Sequence, residues 1–154
     1  MGIFSRLFEG SKEHSLDEYQ SGTLSLDERA IVQTLAELDI DAAIAAHKNW
    51  KLRLDNYLAG QSSEDLRPEM ICVDNACALG KWIYSGGQET MGKVPFFKML
   101  ITWHKRFHLE ASSVVSLMQA NRKPEAQALL IGSYAHVSDQ VIRVLETLKK
   151  TKFS

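Results

Sequence analysis

Cysteine and proline are both scarce, and long apolar runs are missing altogether. The 154 residues hold two cysteines, Cys72 and Cys77, too few for a disulfide framework and better suited to free thiols or metal ligands in a reducing compartment. If both lay on one helix, the five-residue step would turn them about 140° apart, which opposes a local bridge. No stretch approaches the roughly 18 consecutive apolar residues of a membrane span, and no charged start followed by an apolar core marks a signal peptide. The expectation is a cytoplasmic protein without a membrane span. Eighteen Lys and Arg against 19 Asp and Glu leave a formal charge of -1. With no basic stripe to neutralise a phosphate backbone, nucleic acid is not expected as a partner. Sustained two-residue alternation is absent too, so no strands are predicted.

What is present is 45% apolar and 24% charged residues, the balance of one soluble globular domain with a real core. The three prolines, Pro68, Pro95 and Pro124, fall at or between helix-periodic segments. Ser25 and Glu28 have capping-box spacing and open a helix through "SLDERAIVQTLAELD", which breaks at Asp39 or Asp41. The periodicity resumes with Ile40, Ile44, His47, Leu54 and Leu58 before Gly60. "CVDNACALGKWIYSGG" reads as a short helix, with Asp74 a candidate N-cap, Cys77 in the first turn and Gly86-Gly87 closing it. After Pro95, one helix face carries Leu100, His104, Phe107, His108, Ala111, Val115 and Met118, and "NRKP" ends it. Pro124 suits the first turn of a last helix, on which Leu130, Tyr134, Val137, Val141, Val144 and Leu148 recur at steps of three and four. The sum is an all-α protein, a four-helix bundle with an additional short helix that carries the cysteine.

Residues 1–24 form a weaker N-terminal tail. Ile3, Phe4, Leu7 and Phe8 stand at helical spacing and suggest a short docking helix, whereas Arg6 and Lys12 supply too little charge for a strong amphipathic membrane anchor. Arg6 also occupies the position where a myristoylation signal needs Ser or Thr.

Histidine on an apolar face raises the chemical question. His104 and His108 are roughly 40° apart and about 6 Å apart in rise, so two ring nitrogens can converge on one ion. Two core histidines satisfied by hydrogen bonds would give the same pattern. Lys105 stands where H-E-x-x-H needs its glutamate, which removes the zinc-protease reading. His47 places a third imidazole in the apolar row of another helix, and Cys77 adds a soft ligand near a helix N-terminus, where the dipole lowers a thiol pKa. Gly80, one turn on, would let a neighbouring helix approach. Singly, the histidine reads as a satisfied core residue and the cysteine as a small buried hydrophobe. Together, three imidazoles and a thiolate make a closed tetrahedral set that favours Zn2+ over magnesium or calcium.

"AIAAHKNW", "CALGKWI" and "WHKRFH", in this order, closely resemble the chemoreceptor zinc-binding domain, which bacteria attach to cytosolic chemoreceptors and diguanylate cyclases. The resemblance runs from about Ile40 to Leu148, which makes residues 25–150 the zinc-binding helical bundle. It implies zinc ligands at His47, Cys77, His104 and His108, and no catalytic residue. It further implies a bacterial cytosolic sensor of zinc or of oxidants such as hypochlorous acid, working as a homodimer beside a chemotaxis or cyclic-dinucleotide signalling protein. His14, His136 and Cys72 match no ligand position. A zinc hydrolase would need an open coordination position, and Glu110 is the carboxylate nearest in sequence to the histidine pair. A di-iron bundle would need Glu-x-x-His motifs, which the helices do not supply. A structural zinc site or a passive zinc store remains as the alternative to a sensor.

Overall fold

Ser25 opens the first described helix through a complete capping box. Its hydroxyl accepts from Glu28 N at 3.2 Å, and Glu28 Oε2 accepts from Ser25 N at 2.7 Å. The computed structural model describes residues 25–152, and the expected docking helix in residues 1–24 lies outside them. Helix α1 covers Leu26–Ala36. Asp39, rather than Asp41, caps α2 (Ile40–Leu58), its carboxylate accepting from Ala42 N at 2.9 Å. Helix α2 closes in a Schellman motif: Gly60 takes φ 71, Gly60 N bonds Tyr57 O, and Gln61 N bonds Asn56 O.

Three short helices follow. They are α3 (Pro68–Ile71), α4 (Ala78–Trp82) and α5 (Gln88–Met91), the last two joined by a π turn at Ile83–Gly87. The expected cysteine helix is therefore corrected in three respects. Cys77 is itself the N-cap rather than a first-turn residue, Asp74 sits in the preceding loop, and Gly86-Gly87 carries the chain on instead of stopping it. Packing decides the last point: a Cβ at Gly87 would stand 3.0 Å from both the Phe97 ring and Trp82 O, so this turn lies against the next helix. Trp82 Nε1 donates to Thr34 O at 2.9 Å, and Thr34 and Thr90 share a hydroxyl bond of 2.9 Å. These bonds tie the short helices to α1.

Helix α6 (Pro95–Gln119) starts with Pro95 in its first turn and ends in a second Schellman motif, with Asn121 at φ 60 and Arg122 N bonded to Leu117 O. Helix α7 (Lys123–Leu129) passes through a second π turn, Leu130–Tyr134, into α8 (Ala135–Lys152). Helices α2, α6 and α8 pack on one another, α1 lies against α5 and α8, and α3 lies on α6. The architecture is all-α, with no strand among the described residues. Leu54, Leu100, Phe107, Tyr134, Val137, Val141 and Leu145 fill the centre at no more than 0% exposure. The expected stripe from Leu130 to Leu148, which falls on the second π turn and α8, is buried throughout, whereas Met118 of α6 is only half-buried.

Candidate metal centre

The apolar stripe of α6 carries His104 and His108 into the core, where they are 0% and 5% exposed. Their Nε2 atoms stand 3.1 Å apart. Across from them, α2 contributes His47, whose ring packs edge-on to His104 at 5.3 Å and to Phe107 at 4.9 Å. Cys77 reaches the cluster because it caps α4. Its Sγ accepts from Gly80 N at 3.3 Å and lies 3.3 Å from His104 Nε2 and 3.7 Å from His108 Nε2. One ligand atom from each of His47, Cys77, His104 and His108 falls within 4.8 Å of the other three.

Backbone carbonyls orient two of the rings. His47 Nδ1 donates to Ala43 O at 2.7 Å and His108 Nδ1 donates to Ile71 O at 2.8 Å. A carbonyl only accepts, so each Nδ1 carries the hydrogen and each neutral ring turns an Nε2 lone pair into the cluster. A tetrahedral zinc with bonds of about 2.0–2.1 Å to nitrogen and about 2.3 Å to sulfur places its ligand atoms about 3.3 Å (N···N) and about 3.6 Å (N···S) apart. The distances of 3.1, 3.3 and 3.7 Å match these edges. His104 sharpens the fit, because its Nδ1 is buried without a hydrogen-bond partner. A hydrogen on Nδ1 leaves two Nε2 lone pairs facing each other, a conflict that a cation between them removes. The residues present therefore fit a zinc ion, which would supply a Lewis-acid centre with no position left open by four protein ligands.

Burial sets the protonation of the set. His104 is pushed down to about 2, first by burial and then by His108 and His47. His47 and His108 are also lowered, chiefly by burial, against the opposing effect of their carbonyl bonds. All three are thus neutral and ready to ligate at pH 7. Cys77 departs from expectation. The helix start does donate to the sulfur, yet burial outweighs it and raises the thiol pKa. Metal coordination, which deprotonates a ligating thiol outright, is a means of making it a thiolate despite that burial.

A pH dependence follows from the lowered imidazoles. The unfolded chain protonates them near pH 6.5 while the folded chain keeps them neutral. Between those limits the unfolded state binds more protons, so metal-free stability is full above pH 6.5 and falls as the pH drops below it. His104, the most strongly lowered of the three, carries the loss furthest into the acid range. Urea titrations of the metal-free protein between pH 7.5 and pH 5 measure this, and a midpoint that does not move would contradict neutral buried histidines.

The remaining candidates lie elsewhere. Cys72 caps the end of α3 and points its thiol at Glu69 O, 3.5 Å away. His136 is exposed on α8 with its ring 5.7 Å from Trp103, and His14 lies outside the described residues. Glu110 accepts from Ser133 Oγ at 2.6 Å and faces Arg106 at 3.9 Å. Gly80 accommodates the Asp74 carbonyl of its own preceding loop rather than a neighbouring helix. Sequence reasoning missed the carbonyls of Ala43 and Ile71 as ring anchors. The first follows from the helical i-4 relation to His47, but the second joins residues 37 positions apart and has no local signal.

The family model of the chemoreceptor zinc-binding domain matches residues 47–115. That segment belongs to the chemoreceptor zinc-binding domain family. The match begins at His47 and takes in Cys77, His104 and His108, so the domain's matched part contains every member of the cluster. It is narrower than the resemblance from Ile40 to Leu148, since α7 and α8 lie beyond it and contribute apolar packing rather than ligand atoms. No curated protein and no solved structure matches the chain. The chemoreceptor zinc-binding domain is a regulatory rather than an enzymatic family, and no described helix is long and apolar enough to cross a membrane.

Proposed function

We propose that this protein is a zinc-binding sensor of the bacterial cytoplasm that responds to zinc availability or to thiol oxidants. His47, Cys77, His104 and His108 act as its zinc ligands. The observation that carries this reading is the position of Cys77. It is the only anionic donor of the set, and it caps a five-residue helix that other elements must hold in place. Three imidazoles sit on the long helices α2 and α6, whereas the sulfur caps a helix of only five residues. A zinc ion held by Cys77 together with His47, His104 and His108 would tie α4 to α2 and α6. Loss of zinc or oxidation of the sulfur frees it, and the shift passes to a partner surface.

A cleft of about 410 Å³ supports the oxidant arm, since Cys77 and His108 are among its lining residues with Trp50, Arg53, Met70 and Val73. Hypochlorous acid reaching the thiolate transfers its oxygen to sulfur, giving the neutral sulfenic acid and releasing chloride. The two electrons of the new S–O bond come from the sulfur, and the charge that held the cation is gone. Output proceeds through protein contacts, as a homodimer and with a chemotaxis or cyclic-dinucleotide signalling partner.

The test is titration of the zinc-loaded protein with hypochlorous acid while released zinc and hydrodynamic size are followed. Release of about one zinc per chain by about one equivalent of oxidant, with a change in size or in helix protection, is the expected outcome. Zinc that stays bound after Cys77 is oxidised would make the centre a structural one or a passive zinc store, a reading that the burial of His47 and His104 in the core favours.

A further inference from the structure

Two of the three clustered imidazoles are anchored by backbone carbonyls, and the third is not. His104 is fully buried, and its Nδ1 is one of only two buried side-chain polar atoms among the described residues with no hydrogen-bond partner. The carboxylate of Asp74 faces it, with Oδ2 3.9 Å from Nδ1. That gap exceeds a hydrogen bond by less than about 1 Å. The same Oδ2 accepts from Tyr84 Oη at 2.5 Å. Asp74 lies in the loop before α4, and Tyr84 lies in the π turn after it. The Tyr84–Asp74 bond therefore spans the cysteine helix from end to end, and it presents a negative charge to the ring that lacks an anchor.

We propose that Asp74 is a positioning residue for His104, its carboxylate taking the Nδ1 hydrogen when Nε2 is committed to zinc, and that Tyr84 holds the carboxylate in place. The assignment rests on the zinc reading given above. Two consequences follow from elementary chemistry. The Asp74 carboxylate fixes the ring tautomer that leaves Nε2 free to ligate, and it makes that nitrogen a better donor. It also offsets charge, because one thiolate and three neutral imidazoles leave a divalent cation with a net positive charge in a buried site. A carboxylate has lone pairs enough on two oxygens to accept from both the tyrosine and the imidazole. Coupling the same carboxylate to Tyr84 makes metal retention depend on how α4 and its π turn are seated, so the pair is a device by which movement of the cysteine helix is felt at His104.

The experiment uses the full chain and Asp74→Ala, Asp74→Asn and Tyr84→Phe. Zinc affinity is read by chelator competition, coordination by the cobalt(II) absorption spectrum, and the His104 ring by the proton and nitrogen NMR signals of Nδ1–H. For Asp74→Ala, zinc affinity should fall by about 10–100-fold while about one metal still binds per chain with unchanged tetrahedral cobalt bands. Asp74→Asn, which keeps an acceptor but not the charge, should lie between Asp74→Ala and the unaltered chain. In Tyr84→Phe, the Nδ1–H signal should move and exchange faster with solvent although the ligand set is untouched. Should Asp74→Ala fail to fold, Tyr84→Phe and the Nδ1–H signal of the unaltered chain still decide the matter. Variants that bind zinc as tightly as the unaltered chain, or an Nδ1–H signal indifferent to Tyr84→Phe, would overturn the role of Asp74 and leave the zinc centre intact. An unaltered chain that takes up no zinc would instead overturn the reading on which the role rests.

Discussion

Replacing Cys77 with alanine is expected to strip the protein of zinc at ordinary concentrations. The residue supplies the only anionic donor, with its sulfur 3.3 Å from His104 Nε2 and 3.7 Å from His108 Nε2. Structural zinc sites bind with apparent free energies of roughly 10–16 kcal/mol, so losing an average quarter share weakens binding roughly 10²–10³-fold. The thiolate exceeds that average because it is the one ligand of the four that carries a negative charge into a buried site. Alanine also removes the side-chain cap on Gly80 N, at a cost of about 0.5–2 kcal/mol to α4. Cys77→Ser separates the two effects. Serine is a good N-cap and keeps that bond, so the metal-free fold should be as stable as before while zinc is still lost. His104→Ala should lose zinc as well and leave a cavity in the core. Elemental analysis of the purified proteins decides the point: about one zinc per unaltered chain and little in the variants is the expected result. Equal zinc in Cys77→Ser and the unaltered chain would place the metal elsewhere.

Gly80→Ala should disable the centre without touching a ligand. A Cβ at position 80 would stand 1.8 Å from Asp74 O and 2.9 Å from Asn75 Cα. Both obstacles are backbone, so no side-chain rotation relieves them and the loop from Asp74 to Cys77 must move. Overpacking of this kind costs about 1–3 kcal/mol, and it falls on the segment that aims the sulfur. A shift of about an ångström in one ligand is enough to disable a site of this geometry. Zinc affinity is therefore expected to drop by about two orders of magnitude, while the long helices, and with them the circular dichroism spectrum, hardly change. Gly132→Ala is the control, since nothing lies within 4 Å of a Cβ built there. Unimpaired zinc binding by Gly80→Ala would show that the loop can yield, and that Cys77 is not held by its packing.

Much of this was legible in the residue order, and the reason is periodicity. The stripe from Leu130 to Leu148 recurs at steps of three and four, a pattern that only an amphipathic helix buries on one side, and every member is buried. The same rule places His104 and His108 inward, because four residues bring a side chain back to nearly the same face. The capping box at Ser25 and Glu28 and the cap at Asp39 are local hydrogen bonds, so the residues that form them also announce them.

Where no period exists, local reading failed. Between Leu58 and Pro95 the chain breaks into short helices and a π turn whose course depends on Trp82 finding Thr34, 48 positions away, and on Gly87 meeting Phe97 of the next helix. The helix start at Cys77 suggested a lowered thiol pKa, but the pKa depends on burial, and burial is decided by what the rest of the chain packs around the sulfur.

The sequence by itself determined the long helices, their inward faces and the identity of four residues able to ligate a soft metal, because those properties follow from side-chain chemistry and a period of 3.6. Only the tertiary structure decided that the four converge within 4.8 Å, that Ile71 anchors His108, and that Asp74 faces the unpartnered nitrogen of His104. Those relations span 4 to 61 sequence positions, and they exist only once apolar burial has brought α2, α4 and α6 together around one core.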